Sequence, residues 1–397
     1  MRKFQLVALL LCSTALAGQQ ERTVRNGIDV LRAENFARLA GRKVGLITNH
    51  TGLALDGTST AVLLHESESV DLRALFSPEH GFAGTAEGSI RDAVHEDTGL
   101  PIYSLYGADR TPAPERLAGL DTLVFDIQDI GCRFYTYIST MGNAMQAAAQ
   151  QDVRFIVLDR PNPIGGIEIG GPMRDESADS FVSWHTMPVR HGMTVGEIAR
   201  MFNAEREFSC DLQVVQMTGW QRGDFFDATG QTWVNPSPNM RSPTQALLYP
   251  GVGLLETTNL SVGRGTDTPF ELLGAPWMDG QALARAINES DIPGIRCVPI
   301  RFVPNASVFA NQECSGIRFW ITNRLAFDSI RLGMELACAL RRLHEEEWDM
   351  ERYNRLLVNR EVLDLISDGR TPQTVMQTIA RQLVPFYERR DKYLLYR

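Results

Sequence analysis

Glu79 and His80 stand side by side in the run Leu75-Phe76-Ser77-Pro78-Glu79-His80-Gly81-Phe82. An apolar strand pattern stops there at a proline, with glycines close behind. In an α/β protein, side chains at such a strand end face the cleft along the carboxyl edge of the sheet. A carboxylate beside an imidazole can give and take a proton. Phe76, Pro78 and Phe82 are apolar neighbours that would desolvate the Glu79 carboxyl, a setting that suits a general acid near neutral pH. Glu87, in the following Gly/Ala-rich loop, offers a second carboxylate or merely a solvated charge.

Other strand ends carry similar residues. One closes on Asn49-His50-Thr51-Gly52, another on Asp126-Ile127-Gln128-Asp129, and a third on Asp159-Arg160-Pro161-Asn162-Pro163. In a parallel sheet all of these tips share one edge. Asn49, His50, Glu79, His80, Asp126, Asp129, Arg133, Asp159 and Arg160 are therefore expected to converge, with Asn162 beside them. The plain alternative is structural, because Asp and Asn after strands cap helices and Asp159-Arg160 can be a simple ion pair. Tyr103, Tyr106, Phe134, Tyr135 and Tyr137 add aromatic faces on which a sugar can stack, although Phe134 fits core packing better. Arg264, Thr266 and Asp267, in a second glycine-rich turn, could reach a substrate carboxylate or hydroxyl.

The missing motifs narrow the chemistry. There is no GxGxxG after the first strand and no GxxxxGK[ST], which disfavours dinucleotides and nucleoside triphosphates. No HExxH is present, and His50, His80 and His95 match no compact ligand spacing, so no metal or other cofactor is expected. The absence of GxSxG disfavours an α/β-hydrolase.

The elements that must hold these residues alternate. Lys43–Thr48, Asp71–Phe76, Pro101–Tyr106, Thr122–Asp126 and Arg154–Asp159 read as strands. Between and after them come helical patterns at Thr60–His65 and Tyr137–Gln151, and one opened by the capping box Thr194-Val195-Gly196-Glu197. Strands apolar on both faces imply a parallel sheet covered on both sides. The proline-rich segment 235–243 marks a boundary, giving an N-terminal domain over 18–245 and a C-terminal one over 246–397. The latter shows a strand at Gly316–Thr322 and helices at Ser329–Glu346 and Thr374–Leu383. The chain has 397 residues and a net charge of −9, which argues against nucleic acid or an anionic membrane surface as the main partner. Residues 1–17 read as a cleavable export signal: Arg2 and Lys3, an apolar stretch from Phe4 to Cys12, then Ala15-Leu16-Ala17. No segment is long and apolar enough to span a membrane. Export to the periplasm or the medium permits a disulfide, and Cys297 with Cys314 is the pair that position favours.

Five ordered phrases carry a resemblance: Gly45–Gly52 (GLITNHTG), Ser77–Gly81 (SPEHG), Phe125–Tyr137 (FDIQDIGCRFYTY), Leu158–Gly166 (LDRPNPIGG) and Val262–Phe270 (VGRGTDTPF). The chain resembles the exo-β-N-acetylmuramidases of the NamZ type. The resemblance implies a Rossmann-like, mostly parallel N-terminal part and a smaller C-terminal α/β part, with the active site between them. It implies release of terminal N-acetylmuramic acid from non-reducing ends of peptidoglycan fragments. Glu79 matches the family's SPEHG glutamate. His80, Asp126, Arg133, Tyr135, Tyr137 and Arg264 would position substrate or stabilise charge, with Arg133 or Arg264 pairing with the sugar's lactyl carboxylate. The second catalytic group stays open among Asp126, Asp129 and Glu87, a tyrosine, or the substrate's own acetamido group. A wall-sugar binding protein without turnover is the competing expectation.

Overall fold

The computed structural model describes residues 23–397 except Ser89 and Ala108, so the export signal read at residues 1–17 lies outside it. Twelve strands run along the described residues. They are β1 (Lys43–Thr48), β2 (Asp71–Ser77), β3 (Ala93–Val94), β4 (Pro101–Ser104), β5 (Thr122–Asp126), β6 (Arg154–Leu158), β7 (Gly170–Met173), β8 (Pro188–Arg190), β9 (Leu212–Val215), β10 (Leu272–Ala275), β11 (Ile295–Phe302) and β12 (Cys314–Ile321).

The main sheet has the order β3-β4-β2-β1-β5-β6-β9, parallel throughout except for the short edge strand β3. Counting only the parallel strands, this is the doubly wound order 3-2-1-4-5-6. Its switch point falls between β1 and β5, where a crevice opens at the carboxyl edge. The central strands explain this choice: all five residues of β5 (TLVFD) are buried, as are the last five of β1. Such runs can only sit between two helical layers. Phe76, Phe125 and Phe155 are almost completely buried, each worth roughly 1.5–3 kcal/mol of apolar transfer.

The helix Val195–Glu205 starts at the capping box read from the sequence. Thr194 Oγ1 accepts from the Glu197 amide at 3.3 Å, and Glu197 Oε2 accepts from the Thr194 amide at 3.0 Å. The C-terminal part is a smaller antiparallel sheet, β10-β12-β11, with the helices Gly280–Glu289 and Ser329–Leu343. The latter packs on the helix Pro243–Val252 at a near-backbone crossing. A Cβ on Gly251 would lie 1.9 Å from the Ser329 carbonyl oxygen, so only glycine fits there.

Two expectations change. The final helix runs over Pro372–Asp391, beyond Leu383, because Pro385 is accommodated within it and buried Phe386 and Arg390 anchor the far end. Cys297 and Cys314 are free, buried thiols. Cys297 pairs with Phe319 and Cys314 with Phe302, so they lie at opposite ends of the β11–β12 ladder, out of disulfide reach.

Candidate active site

The crevice above β1, β2 and β5 deepens into a cleft of about 450 Å³ whose far wall comes from the C-terminal part. Glu79 enters it from the end of β2. The turn is tight: His80 has φ +69° and Gly81 has φ +74°, a left-handed pair in which the non-glycine residue carries strain. His80 Nδ1 lies 2.9 Å from the Ala86 carbonyl oxygen, which ties the turn to its own loop.

Glu79 is half-buried, and polar groups surround its carboxylate. The Thr136 hydroxyl donates to Oε2. The Tyr106 hydroxyl lies against the same carboxylate; burial first, then this hydrogen bond and charge, push the Tyr106 phenol up to about 12. The expected apolar cover is not there. Phe76 packs inward on Tyr103, with ring centroids 5.6 Å apart, and Phe82 packs on His95 at 4.6 Å.

One wall is aromatic. Tyr135 meets Tyr137 edge-on at 5.0 Å and Tyr249 at 6.0 Å, and Tyr249 meets Phe270 at 4.6 Å. Burial drives the Tyr135, Tyr137 and Tyr249 phenols well above their ordinary range, so they act as neutral hydroxyls. Tyr137 donates to the Pro236 carbonyl and accepts from Asn49 Nδ2 at 3.2 Å. Asn49 thus braces the wall from the tip of β1.

Facing Glu79 from the C-terminal part is Glu256, just beyond the helix Pro243–Val252. Its Oε1 accepts from Arg264 Nη1 at 2.7 Å, and a fifth of its side chain stays open to the cleft. Burial raises the Glu256 pKa against the opposing pull of Arg264, and the Glu79 charge raises it further. Among the described residues, Glu79 and Glu256 are the carboxylates lining this cleft. A second lobe of about 570 Å³ shares Glu79, Thr136 and Arg355 with the first and is edged by Tyr106, Arg110 and Phe181. Glu79 therefore sits at a waist between two lobes.

The sequence-derived residues divide. Glu79, His80, Tyr135, Tyr137 and Arg264 line the cleft. Asp126 and Arg160 do not; they form a buried bidentate pair at 2.6 and 2.9 Å, with the Thr60 hydroxyl donating to Asp126 at 2.5 Å. Asp159 accepts from Thr194, Gly196 and Tyr396, and Asn162 braces the loop through the Met193 carbonyl. His50 bonds the Asn235 carbonyl at 2.7 Å, and burial lowers its pKa. Asp129 is buried and accepts from the Gly131 amide at 2.7 Å. Thr266 donates to the Gly263 carbonyl within its own turn, and Asp267 is exposed outside the cleft.

Arg133 is the clearest correction. It is 1% exposed and spends its guanidinium on four backbone carbonyls, those of Pro172, Met187, Leu356 and Leu357. Burial brings its pKa down to about 10. It cannot meet a substrate carboxylate. Glu87 stays at the exposed rim, 3.2 Å from Arg264 Nη2. Among the described residues no cluster of His, Cys, Asp and Glu has the arrangement of a metal site. Sequence reasoning missed Glu256, Thr136, Arg352 and Arg355; only Thr136 lay inside a phrase it had marked.

Comparison with known proteins extends over the same ground. The family described as Exo-beta-N-acetylmuramidase NamZ, N-terminal matches residues 44–244, and its C-terminal counterpart matches residues 247–396. The chain is 39% identical over 378 residues to the Peptidoglycan beta-N-acetylmuramidase NamZ of Bacillus subtilis (strain 168), covering 94% of this chain and 91% of that one. Two crystal structures of DUF1343 family proteins from Bacteroides fragilis NCTC 9343 share the fold. One has TM-score 0.88 at 37% identity, covering 95% of this chain and 100% of that one. The other has TM-score 0.75 at 29% identity, covering 94% and 99%. The fold, the two-walled cleft and both matches lead to one assignment: this chain belongs to the NamZ family of exo-β-N-acetylmuramidases.

Proposed function

We propose that this protein is a glycoside hydrolase that releases terminal N-acetylmuramic acid from the non-reducing ends of peptidoglycan fragments. The observation that carries this is the placement of Glu79 at the waist of the cleft, opposite Glu256, in a chain that matches the family along almost its whole length. Glu79 gives its proton to the leaving glycosidic oxygen, held in register by the Thr136 hydroxyl. Glu256, fixed by Arg264, turns negative charge toward the sugar cation that forms as the bond breaks; water then adds to the anomeric carbon and returns a proton to the Glu79 carboxylate. The neutral aromatic wall packs against the sugar ring and keeps bulk water back.

The test is release of free N-acetylmuramic acid from a muramyl-glucosamine disaccharide. Glu79→Gln is expected to lower kcat about 100- to 10,000-fold, and Glu256→Gln to lower it less. Near wild-type turnover by Glu79→Gln would remove Glu79 from the mechanism. Tight disaccharide binding without product would favour a binding protein. The pattern at residues 1–17 supports export to the periplasm or the medium, with the mature chain starting near Gly18. N-terminal sequencing of protein recovered outside the cytoplasm checks this; an intact Met1 there would sink it.

A further inference from the structure

A muramyl group differs from a glucosaminyl group by a lactyl ether that carries a carboxylate. A cleft lined by Glu79 and Glu256 repels such a group unless cations answer it. Neither arginine that the sequence suggests is free to do so. Arg133 is buried on backbone carbonyls, and Arg264 is engaged with Glu256 and Glu87.

Two other guanidinium groups line the cleft, Arg352 and Arg355. Both are exposed, and neither guanidinium makes a hydrogen bond, ion pair or ring contact with a described residue. Their backbone, in contrast, is pinned. The Thr257 hydroxyl, next to Glu256, donates to the Arg352 carbonyl at 2.7 Å. Arg133 donates to the Leu356 and Leu357 carbonyls at 2.7 and 2.8 Å. The turn is held from both sides while its cationic ends stay open. Arg355 reaches both lobes, and its charge is felt by Glu256 and by Tyr106 beside Glu79.

We infer that Arg355, with Arg352 next to it, receives the lactyl carboxylate of the substrate and so makes this cleft select muramyl over glucosaminyl ends. This rests on the function proposed above. A guanidinium fork offers two parallel N–H donors to a carboxylate and discriminates strongly against a neutral group there. The buried Arg133 becomes a positioning residue, acting through the Leu356–Leu357 carbonyls on the turn that carries Arg355.

The experiment compares two aryl N-acetylmuraminides, one with the free lactyl acid and one with that acid converted to its methylamide. Arg355→Ala is expected to lower kcat/KM on the acid about 10- to 100-fold and on the amide about threefold or less. Arg355→Lys should recover part of the loss on the acid, and Arg352→Ala should show the same selectivity more weakly. Equal losses on acid and amide, or no loss on either, would overturn the inference. A wild-type protein that cleaves neither compound would sink the hydrolytic reading instead. Titration of N-acetylmuramic acid into wild type and Arg355→Ala then decides: a weakened Kd for this sugar, but not for N-acetylglucosamine, supports the inference, and equal Kd values refute it.

Discussion

The tips of β5 and β6 and the tip of β2 lie on one sheet edge and carry the same kinds of residue, yet they do opposite things. At the first two, Asp126, Arg160 and Asp159 are at most 3% exposed and their hydrogen bonds are used within the fold. At the third, Glu79 keeps an open face and is met by hydroxyls whose protons can be shared. The lesson is that strand-tip polarity alone does not mark a site. The mark is a polar group that the fold positions without exhausting.

The comparison breaks first at Glu79. The Glu79→Gln variant that loses most of its turnover should keep its stability within about 0.5 kcal/mol, since nothing buried is orphaned. Urea denaturation beside the kinetic assay checks this, and a large loss of stability would make Glu79 a structural residue. Asp126→Ala should behave in the reverse sense. It leaves Arg160 buried without its partner and should cost about 3–5 kcal/mol. Chemical denaturation measures this; a loss below about 1 kcal/mol would mean the pair is dispensable.

Asp159 sharpens the contrast through pH. Burial, against the donors from Tyr396, Gly196 and Thr194, brings its pKa up to about 6. A folded-state pKa above the unfolded one means that the native state prefers the proton. The ionised carboxylate therefore weakens the fold fully above pH 6, and that penalty fades as pH falls toward the unfolded value near 4. Asp159→Asn lacks this titration. Wild type should gain about 1–3 kcal/mol relative to Asp159→Asn between pH 7 and pH 4.5. Parallel melting across that range would show that Asp159 does not titrate there.

Much of the frame was legible in the sequence. Apolar runs such as TLVFD announced a covered parallel sheet, and Thr194 with Glu197 announced a helix start, because both patterns are local. Glu79 was legible because its strand end, proline and glycine are contiguous. Glu256, Arg352 and Arg355 were not, because they belong to turns and a four-residue helix without a pattern of their own and meet Glu79 only through the packing of the C-terminal part. Arg133 misled for a related reason. Its type and its aromatic neighbours suited a sugar carboxylate, and only the tertiary fold shows that four carbonyls already hold it. The helix beyond Pro385 escaped notice because a proline there ordinarily ends or kinks a helix.

The hydroxyl of Tyr396 donates to Asp159 at 2.6 Å, and the Leu395 amide donates to Glu197 at 2.8 Å. These last few residues add donors to two buried carboxylates of the N-terminal part that Thr194, Gly196 and Arg222 also meet. Two stretches separable in sequence near residue 245 are thus stitched into one cooperative body. A protease that clipped only this short tail would take donors away from two buried carboxylates, loosening the half of the molecule that holds Glu79 without touching the cleft.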